Sequence, residues 1–359
     1  MAYYLDHYRT HRKKSPFRKF LMYFLLLLIL GGGVVAWQLY TRIFESNVWI
    51  KDGGSLNIDI PTGSDFETVK NLLYEKGLVV DRKAFEWLAR QKSYDARVKP
   101  GRYRIRHGMN NLNLVKMLQS GQQEPVRLIF NNIRTRQQLA GRIANQIEAD
   151  SISIDSLLTD PGFLARYNLN TANAVSIFIP NTYELWWNTS AGQFIDRMVK
   201  EYEKFWDSTR IQKATALGMD RTSIITLASI IEQETNRNDE KARMAGVYLN
   251  RLRLSWPLQA DPTLKFALGD FGIRRILHIH KEIESPYNTY KYAGLPPGPI
   301  CIPGIASIDA VLNYEKNNYL FFCARDDMSG YHVFTASYEQ HLANAAKYQQ
   351  ALNRLKIYK

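Results

Sequence analysis

Residues 222–235 read TSIITLASIIEQET, an apolar stretch with two glutamates near its end, and this pattern predicts a helix that carries an acid. Either Asp220 or Thr222 can cap the start of this helix. The apolar side chains repeat at the three- and four-residue spacing of one helix face. The residues of that face are Ile224, Leu227, Ala228 and Ile231.

The two glutamates, Glu232 and Glu234, flank the apolar face on opposite sides. At about 100° per residue they point roughly 160° apart, so helix geometry alone does not bring both into one pocket. A carboxyl group at the edge of an apolar face is partly desolvated, which raises its pKa and suits a general acid. The structural alternative is a solvated glutamate or an ion pair with a nearby arginine, and periodicity does not separate the two glutamates. The candidate arginines are Arg237, Arg243 and Arg251.

Two longer motifs follow this helix along the chain. They read AGVYLNRLRLSWPLQADPTLKFALG at 245–269 and SPYNTYKYAGLPPGPICIPGIASIDAVLN at 285–313. With LASIIEQET at 227–235, they resemble the ordered motifs of the YceG-like endolytic transglycosylases. The resemblance covers most of residues 56–359 and includes a LysM-like module ahead of the catalytic domain.

The resemblance implies roles for individual residues. The first glutamate of the E-x-E-T pattern, Glu232, takes the place of the family's catalytic residue. The resemblance implies that further residues bind the sugar or support the site, and these are Tyr290, Asn288, Gln259, Asp261, Thr263 and Glu234. Three aromatic residues are candidates either for stacking on sugar faces or for the core, and these are Tyr183, Trp186 and Trp187.

The implied reaction cuts the β-1,4 bond between N-acetylmuramic acid and N-acetylglucosamine of nascent peptidoglycan and leaves a 1,6-anhydro end, which terminates glycan elongation. One carboxyl group can act first as acid and then as base, so a single glutamate suffices without metal or cofactor. A hydrolytic muramidase that uses Glu232 with Asp261 is one alternative, and a non-catalytic cell-wall scaffold is another. The implied partners are glycan strands, the inner membrane and peptidoglycan synthases of the penicillin-binding class.

The segment 56–125 alternates strand and helix patterns, and 126–359 forms the larger catalytic region, so the sequence predicts an α+β fold. LNIDI at 56–60 and RYRIR at 102–106 alternate apolar and polar residues, as half-buried strands do. Helices are predicted over 82–91 and 110–119. Ser64, with Glu67 three residues later, predicts a capping box at the start of the first helix of this segment.

The amino-terminal run at 20–40, FLMYFLLLLILGGGVVAWQLY, contains no charged residue and predicts a transmembrane helix. Six basic residues within 1–19 predict a cytoplasmic tail, which places everything after the membrane in the periplasm. Residues 41–55 are then a linker. A cleaved signal peptide is the alternative, although the apolar run exceeds the usual length of one.

The composition narrows the class of protein further. The chain carries a net charge of +13, which favours polyanionic partners, but no nucleic-acid-binding pattern accompanies it. Cys301 and Cys323 are its two cysteines, and their spacing predicts no zinc or redox site. Whether they form a disulfide is left open. His278 and His280 would share one face of a strand, without a third metal ligand.

Overall fold

The computed structural model describes residues 16–131, 133–273 and 275–354. The chain divides into two compact units between Glu124 and Pro125, one residue from the boundary predicted at 125/126. Most of the predicted cytoplasmic tail, residues 1–15, lies outside the described residues.

Between residues 16 and 124, the amino-terminal unit contains four helices and one antiparallel strand pair. Its elements are α1 (Pro16–Phe44), β1 (Ser55–Ile60), α2 (Phe66–Glu75), α3 (Arg82–Gln91), β2 (Gly101–Arg106) and α4 (Asn111–Ser120). Ile58 of β1 faces Tyr103 of β2 in the register, and both side chains are fully buried in this unit's core. The alternation of apolar and polar residues thus sets which strand face is buried. The likeness to LysM modules stays a prediction.

The predicted helix over 82–91 has the observed bounds of α3, but the predicted cap of α2 was wrong. Asp65, not Ser64, is the N-cap, and its carboxylate accepts the backbone N–H of Thr68 at 2.8 Å. An aspartate directly before the first helical residue satisfies one of the free N–H groups of the first turn.

Helix α1 is long and apolar enough to cross a membrane, since it spans 29 residues with a mean hydropathy of 2.3 in its most apolar window. None of that window is buried in the protein. The end of α1 is attached to α4 by side-chain amides. Asn111 Nδ2 donates to the carbonyl of Arg42 at 2.9 Å, and Asn110 Nδ2 donates to that of Phe44 at 3.3 Å.

The segment predicted as a linker, 41–55, is instead part of the folded unit. Helix α1 continues to Phe44, and Val48 is buried with the core of this unit. The side chain of Asn47 is also buried, and its Oδ1 accepts the backbone N–H of Asp81 at 2.5 Å. These contacts join the end of the apolar helix to the first folded unit without a flexible connection.

The carboxy-terminal unit is built around a helix that is buried on all sides. Its elements are β3 (Val126–Ile129), α5 (Arg136–Ala144), α6 (Ser151–Leu157), α7 (Pro161–Ala165), β4 (Thr182–Leu185), α8 (Ala191–Phe205), α9 (Ser208–Ala216), α10 (Arg221–Glu234), α11 (Asn238–Arg253), α12 (Asp261–Leu268), α13 (Ile305–Leu312), β5 (Phe321–Ala324), β6 (His332–Thr335) and α14 (Tyr338–Arg354), with 3₁₀ turns at Ala174–Ile177 and His278–Glu282. Strands β3 and β4 pair antiparallel, as do β5 and β6. The mixed helix-and-sheet fold that the sequence predicts is confirmed.

Helix α10 is the predicted acid-bearing helix, and Asp220 rather than Thr222 caps it. Every residue from Ile224 to Ile231 is buried, so the helix has no solvent face over this stretch. It packs against α11, α12 and α13. Its polar residue Ser229 is satisfied, because its hydroxyl donates to Thr226 O and accepts the N–H of Ile300.

The histidine segment differs from its prediction. His278 and His280 lie in a 3₁₀ turn rather than in a strand, so they do not share a strand face.

Candidate active site

The two glutamates at the end of α10 lie in different surroundings. Oε2 of Glu232 accepts a hydrogen bond from Lys241 Nζ at 2.9 Å and another from the hydroxyl of Ser307. Lys241 is on α11 and its side chain is only 5% exposed, so Glu232 supplies the counter-charge for a buried ammonium group. The contacts of Glu232 thus tie α10 to α11 and α13.

Glu234 is the carboxyl group whose titration is perturbed. Desolvation by burial raises the pKa of Glu234 to about 7, although the hydrogen bond from Tyr248 opposes this rise. The Tyr248 hydroxyl donates to Glu234 Oε1 at 2.8 Å from a ring that is itself buried in α11. The negative charge of Asp261 raises the pKa of Glu234 further. The group is therefore protonated in part near neutral pH.

Glu234 opens into a cavity of about 420 Å³. The cavity is lined by Glu234, Arg251, Leu258, Gln259, Asp261, Lys281, Tyr290, Phe321, Phe322, Tyr338 and His341. Three predicted site residues, Gln259, Asp261 and Tyr290, therefore share a cavity with Glu234. Glu232 does not line it.

Tyr290 faces Asp261 inside this cavity. Its hydroxyl donates to Asp261 Oδ1 at 2.5 Å, and Lys281 Nζ lies 4.5 Å from the centre of its ring. Burial, and then the charge of Asp261, raises the pKa of Tyr290 well above its usual range, so the phenol remains a hydrogen-bond donor. The pair offers a carboxylate and a phenol to any ligand in the cavity.

Gln259 has a left-handed backbone, with φ of +51°, which is uncommon for a residue with a side chain. Its N–H donates to the carbonyl of Thr289 at 3.0 Å, and it lies between the buried residues Leu258 and Ala260. This fixed backbone directs an exposed amide side chain to the cavity. Strained backbone of this kind is common at functional sites.

Asn288 and Thr263 were predicted to bind the sugar or to support the site, and both are fully buried. Asn288 Nδ2 donates to the carbonyls of Lys281 at 2.8 Å and Ile283 at 2.9 Å, and Asn288 Oδ1 accepts the N–H of Tyr290 at 3.0 Å. The hydroxyl of Thr263 donates to Ala260 O at 2.7 Å. The two side chains hold the backbone that carries Tyr290 and Asp261, and they have no surface for a ligand.

The model of the YceG-like family matches residues 58–347, most of the chain. The chain belongs to the YceG-like family.

Relatives of this YceG-like protein include the endolytic murein transglycosylase of Bacillus subtilis strain 168, which is 28% identical over 91% of this chain and 92% of its own length. The endolytic murein transglycosylase of Streptococcus pneumoniae strain D39 is 28% identical over 93% of this chain, which spans 66% of that relative. A crystal structure of a YceG-like protein from Listeria monocytogenes matches with a TM-score of 0.55 and 29% identity, over 80% of this chain and 98% of the other.

Sequence reasoning on this YceG-like protein assigned no role to Tyr248 and treated Arg251 only as a candidate ion-pair partner of a glutamate or as a structural contact. Tyr248 and Arg251 lie in the quoted motif at 245–269, but only their position on the inner face of α11 reveals their role. Arg251 is buried, and its guanidinium donates to the carbonyls of Leu258 and Leu320, each at 2.7 Å. Desolvation lowers the pKa of Arg251, which still stays a cation. The spacing Tyr248-x-x-Arg251, which puts both on one helix face, was the available signal.

The structure places the candidate aromatic residues and the two cysteines in different surroundings. Tyr183 is buried, with its ring 5.7 Å from that of Phe130, so it belongs to the core. Trp186 is 53% exposed. Cys301 is buried, Cys323 is half-buried, and both are free thiols.

The raised pKa of Glu234 predicts how stability depends on pH. The folded protein binds a proton at Glu234 more tightly than the unfolded chain does. The stability that this group contributes therefore falls as pH rises from the ordinary glutamate pKa of 4.5 to the raised pKa of about 7. Glu234→Gln removes this loss. We expect the melting temperature of the variant, relative to wild type, to increase between pH 4.5 and pH 8 in calorimetric scans.

Glu339→Gln is the matched control, because Glu339 is exposed on α14 in the same unit. Its melting temperature should follow wild type across the same range. A constant difference between Glu234→Gln and wild type from pH 4.5 to pH 8 would contradict the raised pKa.

Proposed function

We propose that this YceG-like protein is an endolytic murein transglycosylase, which cuts the bond between N-acetylmuramic acid and N-acetylglucosamine within peptidoglycan strands. The names of its relatives in Bacillus subtilis and Streptococcus pneumoniae support this activity. The observation that carries the proposal is a single carboxyl group, Glu234, with a pKa of about 7 in a polar cavity. Such a group can give and then take a proton at neutral pH.

We assign the proton transfer to Glu234 rather than to the predicted Glu232. Glu234 lines the cavity with Gln259, Asp261 and Tyr290, whereas Glu232 is held by Lys241 and Ser307 outside it. The hydrogen bonds from Lys241 and Ser307 instead fix the Glu232 side chain to α11 and α13. Glu232 is then a positioning residue that fixes the end of α10.

In the proposed reaction, the protonated Glu234 gives its proton to the oxygen that links the two sugars. As that bond breaks, positive charge develops at the anomeric carbon of the muramic residue. The 6-hydroxyl of the same sugar attacks this carbon and forms the 1,6-anhydro bond, and its proton passes to the Glu234 carboxylate. The acid is regenerated and no water is consumed.

The neighbours of Glu234 fit this cycle. Tyr248 donates to Oε1 and so orients the carboxyl group while leaving Oε2 for the substrate. The exposed amide of Gln259 and the Tyr290–Asp261 pair offer hydrogen bonds to sugar hydroxyls or to an N-acetyl group. Asn288 and Thr263 act indirectly, through the backbone that they hold.

A hydrolytic muramidase is the second candidate, because Asp261 places another carboxylate in the same cavity as Glu234. A hydrolase uses such a second carboxylate to activate water or to attack the sugar. The two reactions differ in product, since hydrolysis leaves a reducing end and transglycosylation an anhydro end.

We also propose that residues 20–40 anchor the protein in the inner membrane, with the two units in the periplasm. The apolar helix α1 and the basic residues ahead of it support this orientation. An anchored enzyme would meet newly made strands beside the synthases of the penicillin-binding class, which we propose as its partners.

The central test is the digestion of purified glycan strands. Wild type should produce anhydro ends by mass spectrometry, and Glu234→Gln should lower the rate by about 10²–10⁴-fold, because it keeps the shape of the side chain and removes proton transfer. Reducing ends would favour the muramidase, and no cleavage by folded wild type would favour a scaffold.

Glu232→Gln is the matched comparison on the same helix. It weakens the tie to Lys241, so we expect a lower melting temperature with turnover per folded molecule within about tenfold of wild type. If Glu232→Gln abolishes turnover and Glu234→Gln does not, the acid is Glu232 after all.

Tyr290→Phe tests the phenol in the cavity. The variant keeps the ring and loses the hydrogen bond to Asp261, and we expect turnover to fall by about 10- to 100-fold while the fold persists. A change in melting temperature alone, with unchanged turnover per folded molecule, would remove Tyr290 from the site.

The anchor is tested by fractionation and by protease added to spheroplasts. The protein should remain with the inner membrane and be digested from outside beyond residue 44. Leu26→Arg with Leu28→Arg should release it or block export, because each arginine costs about 2.5–3.5 kcal/mol at the centre of a membrane helix. A soluble mature protein that begins near Trp37 would show cleavage instead.

A further inference from the structure

A second cavity lies beside the end of α10, on the side from which Gln233 projects. It encloses about 90 Å³ and is lined by Arg134, Gln233, Pro262, Lys265, Phe271 and Ile300. This volume exceeds what a single water needs but is too small for a sugar ring. It suits a small group such as a carboxylate.

Arg134 is held in place on one side of this cavity. Its Nε donates to Gln233 Oε1 at 3.1 Å, and its guanidinium carbon lies 5.2 Å from the centre of the Phe271 ring. Its backbone N–H donates to Gln138 Oε1 at 2.9 Å. The terminal nitrogens of the guanidinium have no hydrogen-bond partner among residues 16–131, 133–273 and 275–354, so they can bind a ligand.

Lys265 lines the same cavity from α12. It lies four residues, or about 6 Å along the helix, after Asp261, which lines the cavity of Glu234. The charge of Lys265 also lowers the pKa of Glu234. The small cavity is thus a neighbour of the proposed cleavage site.

Neither cation is in direct contact with a carboxylate in the part of the chain that the structure describes, although the charge of Lys265 acts on Glu234. Arg134 and Lys265 are each half-buried, and neither forms an ion pair within 4.0 Å with a described carboxylate. By contrast, the buried Lys241 is paired with Glu232. Half-buried cations without a partner favour an anionic ligand that restores the balance of charge.

We propose that Arg134 and Lys265 bind a carboxylate of the peptide stems that substitute the muramic residues of the glycan. This inference rests on the proposed function and gives its substrate class, which is strands that still carry acidic peptides. The guanidinium offers parallel N–H donors to a carboxylate, and the ammonium adds a second charge. In a stem-bearing strand the lactyl carboxyl of each muramic residue is an amide, so the free carboxylates lie on the peptide stems.

The test compares glycan strands that carry stems with strands from which an amidase has removed the stems and whose freed lactyl carboxylates have then been capped as methylamides. The measured quantity is the ratio of kcat/KM for the two substrates. Wild type should favour the stem-bearing strands, and Arg134→Gln should lower that ratio by about tenfold or more, because hydrogen bonds to charged groups are among the strongest in binding. Arg134→Lys, which keeps the charge but not the paired donors, should restore part of the ratio.

Lys200→Gln is the matched control, since Lys200 is exposed on α8 in the same unit. It should keep the wild-type ratio. An unchanged ratio in Arg134→Gln, or an equal loss on both substrates, would overturn the subsite while leaving the proposed function intact.

If wild type cleaves neither substrate, the proposed transglycosylase activity is overturned. A binding measurement then still tests the proposed carboxylate subsite. Glu234→Gln protein is titrated with soluble stem-bearing glycan fragments, alone and combined with Arg134→Gln. Weaker binding only in the combined variant supports the subsite, and equal binding in both overturns it.

Discussion

The partial desolvation of one carboxyl group is the constraint on which the proposed active site depends. Helix α10 is buried over eight consecutive residues, and its end delivers Glu234 to a cavity whose walls come from α11, α12, β5, α14 and the segments 258–259 and 281–290. Burial raises the pKa of Glu234 to about 7, and the hydrogen bond from Tyr248 limits that rise. A more exposed carboxyl group would lose its proton, whereas one without Tyr248 would have no fixed orientation. The rest of the unit holds these surroundings in place.

Two neighbouring glutamates on one helix show why this constraint cannot be read from sequence. Two residues at about 100° each separate their side chains by about 200° around the helix axis, which is about 160° the shorter way round. Each side chain therefore meets a different partner. Glu232 meets the buried Lys241, and Glu234 meets the cavity. Periodicity predicted the helix and both acids, but the partners lie on other helices, at sequence separations that run from 9 residues for Lys241 to 75 for Ser307. The choice between the acids therefore required the tertiary structure.

The need for tertiary structure also explains why the sequence could not separate sugar binding from structural support at Asn288 and Thr263. A polar residue within a motif can bind a ligand or hold the backbone, and the residue type is the same in both cases. Asn288 uses its amide to organise the loop from Lys281 to Tyr290. By contrast, helix α3 and the alternation in β1 and β2 were predicted well, because local spacing and burial decide them. The linker prediction was wrong at 41–55 because the single buried side chains there leave no periodic pattern.

The joint between α1 and the first folded unit has a mechanical consequence. The amides of Asn110 and Asn111 hold the last carbonyls of α1, and the chain enters a core at Val48, so the proposed anchor has no slack at its outer end. A freely jointed tether would let the folded unit sample a wide range of heights above the bilayer. In the membrane anchoring that we propose, this joint would hold the first unit at one height and leave it free only to drift and turn in the plane of the membrane. The proposed anchor would then set the distance of the first unit from the membrane as well as hold it there.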